Sequence, residues 1–150
     1  MLVFFMPAIY LKCGMLAKQK PTTLSDLSVN QTGTHMFKCI ALLKRREDLS
    51  KEAFIEYYEN CHAPLIRRLM PEIIEYRRNY IDFNGLFQFG GSAEIDFDSV
   101  TEIYFADRNA YERFLARNAE PDIAQQIAND EINLFERSAT RMFVVEQHSS

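Results

Sequence analysis

Residues 49–69 read LSKEAFIEYYENCHAPLIRRL, an amphipathic helix with a proline inside it. Phe54, Tyr57, Tyr58, Cys61, Leu65 and Leu69 recur at steps of three or four, the period of one helical face. Glu52, Glu56, Glu59, Arg67 and Arg68 fall on other faces. Ser50 is placed to accept an orphan N–H of the first turn. Glu52 at the start and Arg67 and Arg68 near the end suit the helix dipole. Pro64 breaks the pattern: it has no N–H for the carbonyl of Asn60, and its ring crowds that carbonyl. The residue before a proline is biased away from helical angles, so Ala63 should leave the helix. The helix is therefore expected to kink or stop near Cys61-His62-Ala63. His62 then sits at the break, either bound to a freed backbone carbonyl or free for proton chemistry near neutral pH.

A chain of 150 residues suits one domain, and 47% hydrophobic residues can build a core. The net charge of −4 argues against nucleic-acid binding. The three cysteines, Cys13, Cys39 and Cys61, lack metal-ligand spacing. They read as reduced thiols of a reducing, cytoplasmic compartment. His35, His62 and His148 lie far apart in the chain, and no metal site is expected. Residues 1–35 differ from the rest. Their apolar run is interrupted by Pro7, Lys12 and Gly14, too short for a membrane span, and a Thr/Ser-rich stretch follows. They read as a poorly ordered N-terminal extension and linker. The domain is placed at 36–147, with 148–150 as a tail.

Within the domain, Met36 to Lys44 is a strand with Phe37, Cys39, Ala41 and Leu43 on an apolar face and Lys38, Ile40, Leu42 and Lys44 on a mixed one. After the first helix, Ile73 to Ile81 is a second strand, with Ile74, Tyr76, Arg78 and Tyr80 on one face. Its register is ambiguous, because both faces mix apolar and polar residues. Asp82 to Asp98 is a long connection with Phe83, Leu86, Phe87, Phe89 and Phe97, unusually apolar for a loop. It is read as folding back on the core or on a partner subunit, ahead of a lid over a ligand. Ser99 to Ala106 is a third strand, alternating Thr101, Ile103 and Phe105 with Val100, Glu102 and Tyr104. Asp107 caps a helix over 108–118. Pro121 starts another helical segment, with Ile123, Ile127, Ile132 and Leu134 inward. Thr140 to Glu146 is the last strand.

The order from Met36 is βαββαβ, which predicts an α+β, ferredoxin-like subunit: a four-stranded antiparallel sheet with helices on one face. The other face carries Ile40, Leu42, Val100 and Tyr104, too apolar for open water. A homodimer with the sheets face to face would cover it.

Several stretches resemble one family. MFKCIALLKRREDLSKEAFIEYYENCHAPLIRRL, with its His62-Ala63-Pro64-Leu65, resembles the opening of EthD-family proteins. Phe97-Asp98-Ser99-Val100-Thr101-Glu102 resembles the family's entry into the third strand. DEINLFERSATRMFVVEQ resembles its close. The resemblance covers roughly residues 36–147 and implies a dimeric α/β barrel around a small-molecule cavity. Family members are linked to oxidative degradation of fuel ethers, or act as dehydratases or cyclases of aromatic polyketides.

In such a barrel the mixed strand faces line the cavity. His62, Asp98 and Glu102 are then the expected catalytic groups, and Lys38, Ile40, Leu42, Tyr58 and Tyr104 the substrate-binding ones. A histidine beside a carboxylate can shuttle protons, and a tyrosine can donate to an enol or oxyanion. The expected chemistry needs no cofactor: dehydration, cyclisation, or oxidation begun by deprotonating an aromatic substrate. The bland alternatives stand beside it. Glu102 pairs with Lys38 as a structural ion pair, Asp98 caps a turn, and Tyr104 packs. The other functional class is a non-catalytic dimeric protein binding a hydrophobic ligand for a separate oxidative system.

Overall fold

The computed structural model describes residues 36–148; the extension and linker read over residues 1–35 lie outside the described residues, as do the last two of the tail. Four strands, β1 (Phe37–Leu43), β2 (Ile73–Tyr80), β3 (Ser99–Phe105) and β4 (Arg141–Val145), form one antiparallel sheet in the order β2-β3-β1-β4. β3 lies between β1 and β2, which is the split βαβ topology. The helices α1 (Lys51–Tyr57), α2 (Ala63–Leu69), α3 (Arg108–Asn118) and α4 (Pro121–Glu131) complete the α+β, ferredoxin-like fold. Among the described residues, no helix is long and apolar enough to cross a membrane.

Alternation along β1 and β3 decides which residues meet the helices. Cys39, Ala41 and Leu43 are buried with Ser99, Thr101, Ile103 and Phe105 in the helix-facing core. Lys38, Ile40, Leu42, Val100, Glu102 and Tyr104 take the opposite, open face, because successive side chains on a strand point to opposite sides. Burial pushes the Cys39 thiol up to about 11, which makes it an inert core group. In β2 a bulge between Ile73 and Glu75 resolves the ambiguous register. Ile73 joins Tyr76 in the core, while Ile74, expected beside Tyr76, is exposed.

The first helix begins as expected, with the Ala53 N–H donating to Ser50 Oγ at 3.1 Å. It does not stop before Pro64. Residues Tyr58–His62 form a π-turn between α1 and α2, in which the Ala63 N–H donates to Tyr58 O, five residues back. Ala63 keeps helical angles (φ −62°, ψ −42°). The wider turn accommodates the proline ring that an α-helical ladder would press against Asn60. The inserted residue also rotates α2 relative to α1. Cys61 and Leu65, expected on the inner stripe, are only half-buried, while His62, Ala63, Ile66 and Leu69 are buried.

The other helices follow their caps. The Ala110 N–H donates to Asp107 Oδ1 at 2.7 Å, and Pro121 occupies the first turn of α4. α4 ends at Glu131, so Ile132, expected to face inward, is exposed, and Leu134 is fully buried beyond the helix end. Phe54 lies edge-on to Tyr58, Tyr80 and Phe135, with ring centroids 5.8, 6.0 and 5.9 Å away. It ties α1 to β2 and to the segment after α4. Phe54→Ala should cost about 3–5 kcal/mol in urea unfolding, because the surrounding rings cannot close the cavity. An unchanged midpoint would show that α1 does not dock through this residue.

Candidate functional site

The π-turn carries two of the expected site residues, Tyr58 and His62. Tyr58 and His62, one turn apart, both face the core, with ring centroids 5.1 Å apart and planes nearly perpendicular. Phe135 meets the His62 ring edge-on, also at 5.1 Å. The His62 side chain is only 5% exposed. Its Nδ1 lies 2.6 Å from Asp130 Oδ2, on the last turn of α4. The other carboxylate oxygen, Oδ1, accepts from the Tyr57 hydroxyl at 3.0 Å. Burial first, and the Asp130 charge second, raise the Tyr57 phenol above its ordinary range, so Tyr57 stays protonated and donates. A carboxylate can only accept, so Nδ1 donates to Asp130 and Nε2 is the acceptor nitrogen of the neutral ring.

On the sheet side, the Tyr58 hydroxyl lies 3.0 Å from that of Tyr76 and 2.9 Å from Thr101 Oγ1. Burial pushes Tyr58 up to about 12 and Tyr76 well above the usual phenol value. Beside them Arg78 grips Glu59 through two bonds of 2.8 and 2.6 Å, and the Tyr80 hydroxyl donates to Glu59 at 2.6 Å. The Arg78 guanidinium holds the Glu59 carboxyl below its ordinary value. Ser99 Oγ, fully buried on the same face of β3, is without a hydrogen-bond partner among the described residues. The interior between the π-turn and strands β2 and β3 is thus lined with hydroxyls, unlike an aliphatic core.

The expected site residues divide among three places. His62 and Tyr58 share the helix-facing interior. Glu102, Lys38 and Tyr104 share the open face with Ile40 and Leu42. There Lys38 Nζ pairs with Glu102 Oε2 at 2.5 Å, and the Tyr104 hydroxyl donates to the same oxygen at 2.6 Å. Lys38 and Arg77 each lie 5.0 Å from the Tyr104 ring centroid, one reason this open-face tyrosine is nearly buried. Asp98 is in neither place. It accepts from the Arg45 N–H at 3.0 Å and from Arg45 Nε at 2.9 Å, closing the turn after β1. The sheet itself therefore separates His62 from Glu102 and Tyr104 within one subunit. The partner of His62 is Asp130, which periodicity hid among the polar positions of α4. The available signal was the Asp-Glu pair of the closing motif, Asp130-Glu131.

A family model for the EthD domain matches residues 46–138. The chain belongs to the EthD family. No curated protein sequence matches it. Among solved structures it is similar to an EthD-family protein of Bacillus halodurans, at 24% identity over 75% of this chain and 99% of that one, with a TM-score of 0.51. HapK from Hahella chejuensis is similar at 17% identity over 77% and 95% of the two chains, with a TM-score of 0.52. At3g17210 from Arabidopsis thaliana is similar at 16% identity over 76% and 97%, also at 0.52. These likenesses show a shared fold.

The geometry is open to two tests. Asp130→Ala should release the His62 tautomer, so that ¹⁵N–¹H correlation of the imidazole shows both neutral forms where the parent shows the Nδ1–H form alone. The same mixture in the parent would mean that Asp130 does not orient the ring. On the open face, the Lys38 and Tyr104 hydrogen bonds hold Glu102 below its ordinary 4.5. Its stabilisation is present above 4.5 and lost as pH falls through the lower folded value. Burial pulls Lys38 down, but its pairing with Glu102 outweighs this and leaves it above 10.5. That contribution is present below 10.5 and lost as pH rises past the folded value. Glu102→Gln should therefore flatten both limbs of a plot of Tm against pH, and superimposable plots would show that the pair adds no stability.

Proposed function

We propose that this EthD-family chain is a small-molecule enzyme using side-chain acid–base chemistry on a hydrophobic aromatic or polyketide-like substrate, of the dehydratase, cyclase or oxidoreductase type. The observation that carries the reading is the 2.6 Å contact of His62 Nδ1 with Asp130 Oδ2 inside an aromatic enclosure. Asp130 orients the ring and stabilises the imidazolium that forms when Nε2 takes a proton from an acidic C–H or phenolic O–H. His62 then returns the proton to the enolate oxygen, giving enolisation, to another carbon, giving isomerisation, or to a departing hydroxyl, giving dehydration and water. Tyr58, kept protonated by burial and packed edge-on to the His62 ring, is the substrate-binding group in this reading. Asp98 and Glu102 take structural roles. Lys38, Ile40, Leu42 and Tyr104 belong to the open face, which a second copy of the chain covers in a dimeric barrel.

The alternative, a non-catalytic dimeric accessory protein that binds a hydrophobic ligand for a separate oxidative system, is favoured by one observation. Tyr58 and Phe135 close tightly on His62, which is almost without solvent contact. A panel of phenolic and polyketide-like compounds, followed by mass spectrometry and by calorimetric binding, separates the two. His62→Ala should retain the fold and lose about 10²–10⁴-fold in turnover. Turnover undiminished in the variant would remove His62 from the chemistry. Equal binding by both proteins, with no product from either, would favour the accessory reading.

A further inference from the structure

The segment of residues 82–98, between β2 and β3, is an ordered arm with aromatic side chains turned to solvent. The Asn84 N–H donates to Asp82 Oδ1 at 3.1 Å around a 3₁₀ turn at Phe83–Gly85. The Ser92 N–H donates to Phe89 O at 3.0 Å, with Gly91 at φ +84°, a left-handed turn position that suits glycine. Gln88 Nε2 donates to Ala93 O at 3.0 Å. These bonds hold up two phenylalanines, Phe87 and Phe89, which are 79% and 77% exposed and pack edge-to-face at 5.2 Å. Phe83 and Leu86 beside them are also exposed. Local hydrogen bonding that presents aromatic rings to water does nothing for the monomer, and exposed aromatic clusters are characteristic of contact surfaces.

Two observations identify the occupant. The first is continuity. At the root of the arm Asp96 pairs with Arg141, whose guanidinium lies over the Phe97 ring. Arg141 pairs in register with Leu42, so it stands on the open sheet face, in line with Phe143. The arm is thus joined to the same face that carries the half-buried Ile40 and Leu42 and the exposed Phe143. The second is charge. Residues 82–98 contain Asp82, Glu94, Asp96 and Asp98 and no lysine or arginine, which disfavours an anionic lipid surface. The register places Lys38, Arg77 and Arg141 on the open face against Glu75 and Glu102. All three cations are matched, Lys38 by Glu102, Arg77 by Glu75 and Arg141 by Asp96 of the arm, so the face can take an apolar arm tip without desolvating a lone charge.

We propose that the aromatic tip of the arm, Phe87 and Phe89, docks on a second copy of this chain at the margin of its open sheet face. This rests on the reading that a second copy covers that face. Each subunit then adds an arm to the other, and the arm closes the end of the space between the sheets.

The sequence contains no tryptophan. Phe89→Trp, at an exposed position, therefore places a sole indole on the tip. Its emission and acrylamide quenching are followed against protein concentration, with mass measured by light scattering. The expected result is a shift to the blue and at least about a three-fold fall in quenching as the dimer forms. Phe87→Ser with Phe89→Ser should weaken the dimer Kd by about ten-fold or more, with an unchanged Tm of the monomer. The proposal is overturned if the dimer forms while the indole stays fully quenchable. It is also overturned if the indole is protected only by added lipid vesicles. Phe143→Asp tells the two readings apart. If it dissociates the dimer while the double arm variant keeps the parent Kd, the arm proposal fails and sheet pairing stands. A parent chain that is monomeric at every concentration overturns both.

Discussion

A proline without an N–H sets the geometry on which the rest of this domain depends. An α-helical ladder through Pro64 would press its ring against the Asn60 carbonyl. The chain answers with one wider turn over Tyr58–His62, and the hydrogen bond from Ala63 reaches back five residues instead of four. One extra residue in a helical turn rotates everything after it. That rotation turns His62 into the core along with Tyr58, and it aligns Ile66 and Leu69 below them. π-turns are rare and recur at functional positions.

Once His62 is inside, its polarity must be answered, since a buried imidazole without a partner is costly. α4 supplies Asp130, and Tyr57 satisfies the second carboxylate oxygen. Below, Tyr58 is satisfied by Tyr76 and Thr101 from two neighbouring strands. The same groups that make the core self-consistent are those an acid–base reaction needs: an oriented base, a buried carboxylate behind it and phenols kept protonated. Packing and proposed chemistry therefore share residues, and the tests that separate them read tautomer and turnover as well as stability.

The two faces of the sheet serve different ends. The helix-facing side is closed within the subunit by Phe54, Tyr58, Phe105 and Leu134. The open side satisfies its own charges, with Glu102 held by Lys38 and Tyr104 and the Tyr104 ring flanked by two cations. It leaves Phe143 in contact with water. A face that is electrostatically complete and apolar at its margin suits burial against another sheet, because no unpaired charge has to be desolvated.

Much of this was legible in the chain. Period-two runs marked β1 and β3, β2 and β4 were read as strands without a clear face, period 3.6 identified the helices, Ser50 and Asp107 marked two of their starts, and the order of elements implied the ferredoxin-like sheet. These are local properties: a strand's two faces and a helix's cap are written in residues a few positions apart. The Lys38–Glu102 pair was within reach for the same reason, since both lie at mixed positions of strands that the topology makes neighbours. Three things were decided only by the tertiary structure. Asp130 and His62 are 68 residues apart, and nothing local marks Asp130 as the partner. The bulge at Ile73/Glu75 was invisible, because both faces of β2 mix polar and apolar side chains. The destination of His62 turned on whether the proline would stop the helix or widen it. Spacing alone cannot settle that, because the energy of the wider turn depends on the aromatic and carboxylate neighbours that other elements bring to it.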